Sequence, residues 1–293
     1  MVIKDSEVLI IGGGQLGSEL KRTYPDARLI DYPEIDISDR QSVREIDTDG
    51  IRLIVNAAAW TDVDGAEKLE NQSKVHAINS DGAGFLATEA YLTDAILVHI
   101  SSDYVFDGTQ KNHLEDEPFS HINVYGMTKA SGDLHVTVLA DQYYILRTSW
   151  VVGPGGTGNF AKTMYNLAQR GVKPSVVNDQ FGRLTFTSEL VRAIRFLVEN
   201  DAPFGTYNVS NSGPIKSWAE IAGDVFELAD RSRSDVIGVS TEDYFKDKPE
   251  TAKRPRNSDL NLSKIQSLGF ESHDYESELK SYIESLISAE KEK

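Results

Sequence analysis

Three side chains in the middle of the chain have the types and spacing to move a proton. Tyr125-Gly126-Met127-Thr128-Lys129 sets a phenol and an ammonium four positions apart. On a helix such positions share a face, so both groups can meet around one ligand. A free phenol ionises near pKa ~10, and a nearby cation favours the ionised form, which improves it as a proton relay near neutrality. Upstream, Ile100-Ser101-Ser102-Asp103-Tyr104-Val105-Phe106 closes an apolar run with hydroxyls. Ser102 there could bond a substrate carbonyl and the phenol. Alone, Tyr125 and Lys129 read equally as surface helix residues, and the serine pair as a cap or turn.

A second group of residues suits a dinucleotide. Gly12-Gly13-Gly14-Gln15-Leu16-Gly17 is a G-x-G-x-x-G run directly after Val8-Leu9-Ile10-Ile11 and opening a helical stretch. The first glycine allows a tight turn, the second lets backbone approach a pyrophosphate, and the third lets helix and strand pack closely. Free N–H groups at the helix start favour phosphate. Asp31 follows Gly12 by 31 − 12 = 19 positions, about where an acid bonds an adenosine ribose; a solvated loop carboxylate is its plainer reading. Small residues in Asn56-Ala57-Ala58-Ala59 would let a cofactor lie across the sheet, or simply pack a turn.

These residues need elements to hold them. Strands are predicted at 8–11, 27–30, 53–56, 97–101 and 144–147, and helices at 15–23, 39–46, 73–91 and 128–139. Such alternation predicts an α/β fold, a Rossmann-type doubly wound parallel sheet covered by helices on both faces. The pattern changes after Trp150. Residues 1–150 read as a dinucleotide-binding domain, and 151–293 mainly as a smaller substrate-binding lobe, with segments near 180–200 as candidates to rejoin the first.

Composition narrows the partners. Lys and Arg number 30 against 46 Asp and Glu, a net charge of −16. No basic footprint for nucleic acid or an anionic membrane is expected. The absence of cysteine rules out thiolate metal sites and cysteine nucleophiles and suits a reducing cytoplasm. The N-terminal residues read as no secretory signal, and no apolar run is long enough to cross a bilayer. His76, His99, His113, His121, His135 and His273 lack metal-ligand spacing and read as structural or surface residues.

With these motifs assembled, the chain resembles the extended short-chain dehydrogenase/reductases, and within them the dTDP-4-dehydrorhamnose reductase family. The likeness covers nearly the whole chain. It rests on Gly14 to Leu20, Asp36 to Asp39, Asn56 to Glu67, Ser101 to Gly108, Val124 to Lys129, Arg147 to Trp150, Asn178 to Thr185 and Arg254-Pro255-Arg256-Asn257-Ser258. It implies NADH- or NADPH-dependent reduction of the 4-keto group of dTDP-4-dehydro-L-rhamnose. Ser102, Tyr125 and Lys129 would be catalytic. Gly12, Gly14, Gln15, Leu16, Gly17, Asp31, Asp36, Ile37, Ala57, Ala58 and Ala59 would bind cofactor with Tyr125 and Lys129. Val63, Ser102, Asp103, Tyr104, Trp150, Arg254 and Arg256 would bind the nucleotide sugar.

The chain departs from the family pattern at Ile11, where a first glycine is usual, at Leu184, where a proline is usual, and at Val152, where a tyrosine is frequent. The last two segments are expected to reach the substrate cleft. A reductase or epimerase of another nucleotide sugar remains an alternative, as does a non-catalytic regulatory subunit like that of methionine adenosyltransferase. Some family members bind Mg²⁺ at a dimer interface through glutamates. Glu19 matches one such position and Glu189 lies near another, but both are expected to be solvated helix carboxylates, with no metal needed for chemistry. A homodimer is an open expectation.

Overall fold

The computed structural model describes residues 3–248 and 250–291; the other positions of the two domain ranges lie outside the described residues. Five strands follow the sequence expectation closely: β1 (Val8–Ile11), β2 (Arg28–Ile30), β3 (Leu53–Asn56), β4 (Ile96–Ser102) and β5 (Tyr143–Thr148). The strand Gly205–Asn208 joins them, giving a six-stranded parallel sheet in the order 205–208, β5, β4, β3, β1, β2. β1 and β3 are buried at every residue, as strands covered on both faces must be.

Helices α1 (Gln15–Thr23), α2 (Arg40–Arg44), α3 (Val63–Glu67), α4 (Leu69–His76), α5 (Gly82–Leu92) and α6 (Val124–Leu139) follow in chain order. Further along come α7 (Phe160–Gln169) and α8 (Thr187–Glu199). One sheet face packs Val8, Ile10, Val55 and Val98 against Leu16 and Leu20 of α1 and Leu190 and Ile194 of α8. The other packs Leu9, Ile11, Ile54 and Leu97 against Val43, Leu86, Ala87 and Val136 of α2, α5 and α6. The segment 187–208 therefore supplies both a covering helix and an edge strand to the large sheet.

Two helix expectations differ in outcome. The stretch 73–91 is not one uniform helix: a π turn, Ala77–Asp81, separates α4 from α5. That turn brings Asn79 inward, where Oδ1 accepts from Trp60 N at 2.8 Å and Nδ2 donates to Thr128 Oγ1 at 3.2 Å. Gly132 of α6 lies against it so closely that a Cβ would stand 2.3 Å from the Asn79 carbonyl oxygen. α6 itself starts before Thr128, because Asn123 caps it, accepting from Gly126 N at 2.7 Å. Tyr125 thus sits in its first turn.

A second core gathers α7, Trp218–Leu228 and Tyr275–Lys291 around Val152, Leu184 and Phe186. Val152 and Leu184 have no more than 1 % of their surface exposed. Their side chains are packing residues of this lobe.

Candidate active site

The glycine loop leaves β1 at the point where strand order reverses, with β2 on one side of β1 and β3 on the other. Open α/β sheets bind ligands at such a switch point, beyond the carboxyl ends of the strands. Gly12 adopts φ 98°, and a Cβ on it would stand 2.7 Å from Ala58 N and 3.0 Å from the Ala57 carbonyl carbon. Gly17 packs the helix down: its Cβ would meet the Gly12 oxygen at 1.8 Å. Gly14, the N-cap of α1, has no atom within 4 Å of its Cβ position. A glycine surface open at a helix N-terminus is the cradle a pyrophosphate requires, so these residues fit a dinucleotide. Gly14 stands at the cradle's open side, and Leu16 is buried beneath the start of α1.

The side chain of Gln15 turns elsewhere. Its Oε1 accepts from Gly153 N at 2.8 Å and from Asn159 Nδ2 at 3.2 Å. Asp31 is exposed beside the loop, its Oδ2 2.8 Å from the Cβ position of Gly13. Asp36 holds its own turn, accepting from Ser38 N at 2.9 Å and Ser38 Oγ at 2.6 Å. Ile37 buries its side chain against the α5 side of the sheet. Ala57 and Ala58 meet Gly12 as described, and Ala59 follows in the same partly buried turn.

Ser102 ends β4 and caps the turn after it. Its Oγ accepts from Tyr104 N and donates to Asp103 Oδ1, both at 3.1 Å. Gly126 lets α6 close on this turn, since a Cβ there would lie 2.1 Å from the Tyr104 carbonyl oxygen. The Tyr104 and Tyr125 rings meet edge to face at 5.5 Å. Burial pushes the Tyr125 phenol up to about 12, Asp103 adds to this, and the Ser102 hydroxyl works against it. Lys129 Nζ donates to the Ile100 carbonyl at 2.6 Å. Burial pushes Lys129 down to about 8, against the pull of Asp133. Asp103 is pushed up to about 6 by burial, although the Ser258 and Ser102 hydroxyls favour its charge.

The other expected substrate residues fall around this turn. Val63 opens α3, and Glu67 Oε1 at its far end accepts from Val124 N at 2.8 Å, tying α3 to the start of α6. Arg254 is held by Asp64 at 2.8 Å and lies over Phe245. Arg256 stays 70 % exposed, 3.7 Å from Asp179. The segment between them crosses Gly108, whose Cβ would meet Pro255 Cβ at 2.5 Å. Trp150 stacks on Trp218 at 3.6 Å, with its ring against Gly182, whose Cβ position would lie 2.9 Å from Trp150 Cε2 and 3.1 Å from Ser258 Cβ. Glu19 and Glu189 are not solvated: both are buried and paired with Arg22 and Arg192. Among the described residues no group of three or more His, Asp or Glu gathers to hold a metal.

The sequence reading missed a buried polar cluster behind Lys129, comprising Asn56, His99, Asp133 and Arg147. Asp133 was accessible to it, four positions after Lys129 on the same helical stripe. His99 was not, because its neighbours come from β3 and α6.

The parallel sheet, with its glycine loop at the switch point and its Ser, Tyr and Lys gathered beyond β4, places the molecule among the extended short-chain dehydrogenase/reductases. The chain belongs to the family of the RmlD substrate binding domain, whose model matches residues 6–288. It is 36% identical to the spore coat polysaccharide biosynthesis protein SpsK of Bacillus subtilis, over 97% of this chain and 99% of that protein. It is 34% identical to the dTDP-4-dehydrorhamnose reductase of Aggregatibacter actinomycetemcomitans, over 94% and 97% of the two chains. The dTDP-4-dehydrorhamnose reductase of Bacillus anthracis, solved in complex with NADP, superimposes with a TM-score of 0.86 at 34% identity, over 96% of this chain and 100% of that one.

Proposed function

We propose that this protein reduces the 4-keto group of dTDP-4-dehydro-L-rhamnose to give dTDP-L-rhamnose, with NADH or NADPH as reductant. The observation that carries this reading is that Ser102, Tyr125 and Lys129 gather at the carboxyl end of β4, on the same edge of the parallel sheet as the open glycine turn after β1. The reductases named above support the choice of substrate.

Gly12, Gly14 and Gly17 would hold the pyrophosphate, Asp31 a ribose hydroxyl, and Lys129 the ribose beside the nicotinamide. The bound reduced cofactor supplies the hydride. Tyr125, protonated at neutral pH with its phenol near 12, donates its proton to the keto oxygen as charge develops there. The Ser102 hydroxyl stands beside the phenol and, turning its one proton from Asp103 Oδ1, donates a second hydrogen bond to that oxygen. The Lys129 ammonium offsets the negative charge left on Tyr125. Asp31 would accept from a ribose 2′-hydroxyl and repel a 2′-phosphate, so NADH is expected to serve.

The substrate diphosphate cannot be recruited by a molecule carrying −16. Local cations must hold it, and Arg254 and Arg256 are the ones proposed. Val63, Asp103, Tyr104 and Trp150 would shape the sugar side. No helix among the described residues is long and apolar enough to cross a membrane. The cytoplasm is the compartment proposed, on the cysteine-free composition. Leu134 and Val138 lie four apart on α6 and are both exposed, which supports a homodimer through that face; sedimentation would test it.

The deciding experiment is an assay of reduced-cofactor oxidation with dTDP-, UDP- and GDP-linked 4-keto sugars. Turnover fastest with the dTDP compound is expected. Tight nucleotide-sugar binding without any turnover would favour the regulatory reading instead.

A further inference from the structure

Behind Lys129 the large sheet buries four polar side chains in contact. Asn56 ends β3, His99 is its register partner on β4, Asp133 stands on α6, and Arg147 lies on β5. All are at most 4 % exposed. Buried polar groups are costly unless each finds a partner of the right polarity, so the proton positions here follow from the contacts.

The Ala58 N–H can only donate, and it lies 3.2 Å from Asn56 Oδ1. That fixes the amide, and Asn56 Nδ2 faces His99 Nδ1 at 3.1 Å. An amide nitrogen donates, so Nδ1 accepts. Burial and the charge of Lys129 hold the His99 pKa well below its ordinary value, so the ring is neutral. Its one proton is therefore on Nε2. Nε2 lies 3.4 Å from Lys129 Nζ and 3.9 Å from Asp133 Oδ1.

We propose that His99 is a positioning residue that disfavours the ammonium form of Lys129, with Asn56 locking it in the Nε2–H tautomer. An ammonium at Nζ meets another donor on that side. A neutral amine there can accept the Nε2–H. The other groups facing Lys129 act in different directions. From α6, Asp133 favours the charge and Tyr125 shares the face. From β4, the Ile100 carbonyl accepts from Nζ, and the Ser101 and Ser102 hydroxyls carry no charge. From β5, Arg147 Nε binds Asp133 Oδ2 at 3.1 Å and so weakens its pull on Lys129. Asp103 acts one residue further away, on Tyr125. The result is a lysine whose ammonium form, already disfavoured by burial, also faces a donor on a side chain that touches neither ligand. This inference rests on the role of Lys129 proposed above only for its catalytic meaning; the protonation states follow from the burial and the contacts of His99.

The test reads both groups directly in the full chain by nuclear magnetic resonance. With ¹⁵N-labelled histidine, the His99 ring, assigned by its loss in His99→Leu, should show the Nε2–H tautomer and no protonation across about pH 5 to 8. With ¹³Cε-labelled lysine, the Lys129 titration should move up by about one pH unit in His99→Leu, because the donor facing Nζ is then gone. Asn56→Asp, whose carboxylate only accepts, should move the ring proton to Nδ1. A wild-type ring in the Nδ1–H form overturns the proposal even if neither variant folds. So does an unmoved Lys129 titration in a folded His99→Leu protein, which would leave His99 a packing residue. Loss of the proposed reductase activity alone would overturn the function and leave these readouts standing.

Discussion

Gln15 Oε1 accepts a hydrogen bond of 2.8 Å from the backbone N–H of Gly153, 138 positions away. The first helix of the cofactor cradle is thereby fastened to the glycine-rich loop that begins the second half of the chain. Gly155 and Gly156 continue the contact, their Cβ positions lying 2.7 Å from Ser18 Cβ and 3.0 Å from Gln15 Cγ. The loop lies against the start of α1, and a side chain on Gly155 would press on Ser18.

Tyr125→Phe keeps the ring that packs on Tyr104 but removes the proton donor. Turnover should fall by ~10²–10⁴-fold, with cofactor affinity near that of the wild type by fluorescence titration. Near-wild-type kcat would take Tyr125 out of the mechanism.

Lys129 is pushed down to about 8, so its charge is present below that pH and lost above it. Tyr125, near 12, keeps its proton through the same range. kcat/KM for the keto sugar should therefore decline as pH rises through about 8. A profile flat to about pH 10 would show that the lysine charge is dispensable.

Gly17→Ala puts a Cβ 1.8 Å from a backbone oxygen that cannot retreat without distorting the turn. A loss of ~1–3 kcal/mol of stability and of cofactor affinity should appear in denaturant titration and binding. Gly14→Ala meets nothing in the protein, so it should keep its stability and lose affinity alone. Equal effects from both would argue against phosphate approaching at Gly14.

Asp103, pushed up to about 6 from 3.8, opposes folding where it is ionised. That cost is full above about 6 and vanishes below 3.8, because the folded state then holds no more protons than the unfolded one. Asp103→Asn should stabilise the protein at pH 8 by on the order of 3 kcal/mol, with the gain shrinking as the medium is acidified. A gain independent of pH would mean that ionisation is not its source.

Arg254 and Arg256 should separate. Arg254→Ala breaks the pair with Asp64 and the contact with Phe245, so it should lower Tm as well as raise KM for the sugar nucleotide. Arg256, largely exposed, should raise that KM with little change in Tm. If neither variant changes KM, the diphosphate is held elsewhere.

Much of the cofactor half is legible in the residues themselves. β1, α1 and the Gly12 to Gly17 run are neighbours in sequence, and apolar runs followed by glycines and an amphipathic stretch have few ways to fold. Tyr125 and Lys129 share a face by helical period alone. α6 begins four residues before the expected start, because its cap, Asn123, precedes the recognisable motif. The break at Ala77–Asp81 left no local signal, since a π turn keeps helical periodicity on both sides.

What the sequence by itself determined, then, is the order of strands and helices and the residue types offered at the carboxyl ends of β1 and β4. Those depend on runs a few residues long. Only the tertiary structure decided that Gln15 serves the loop at Gly153, that Trp150 stacks on Trp218, that Leu184 and Val152 are core, and that His99 stands against Lys129. Each of these depends on which faces of distant elements meet. A buried polar side chain takes its proton, its charge and its role from partners that close packing supplies, and no local pattern names them.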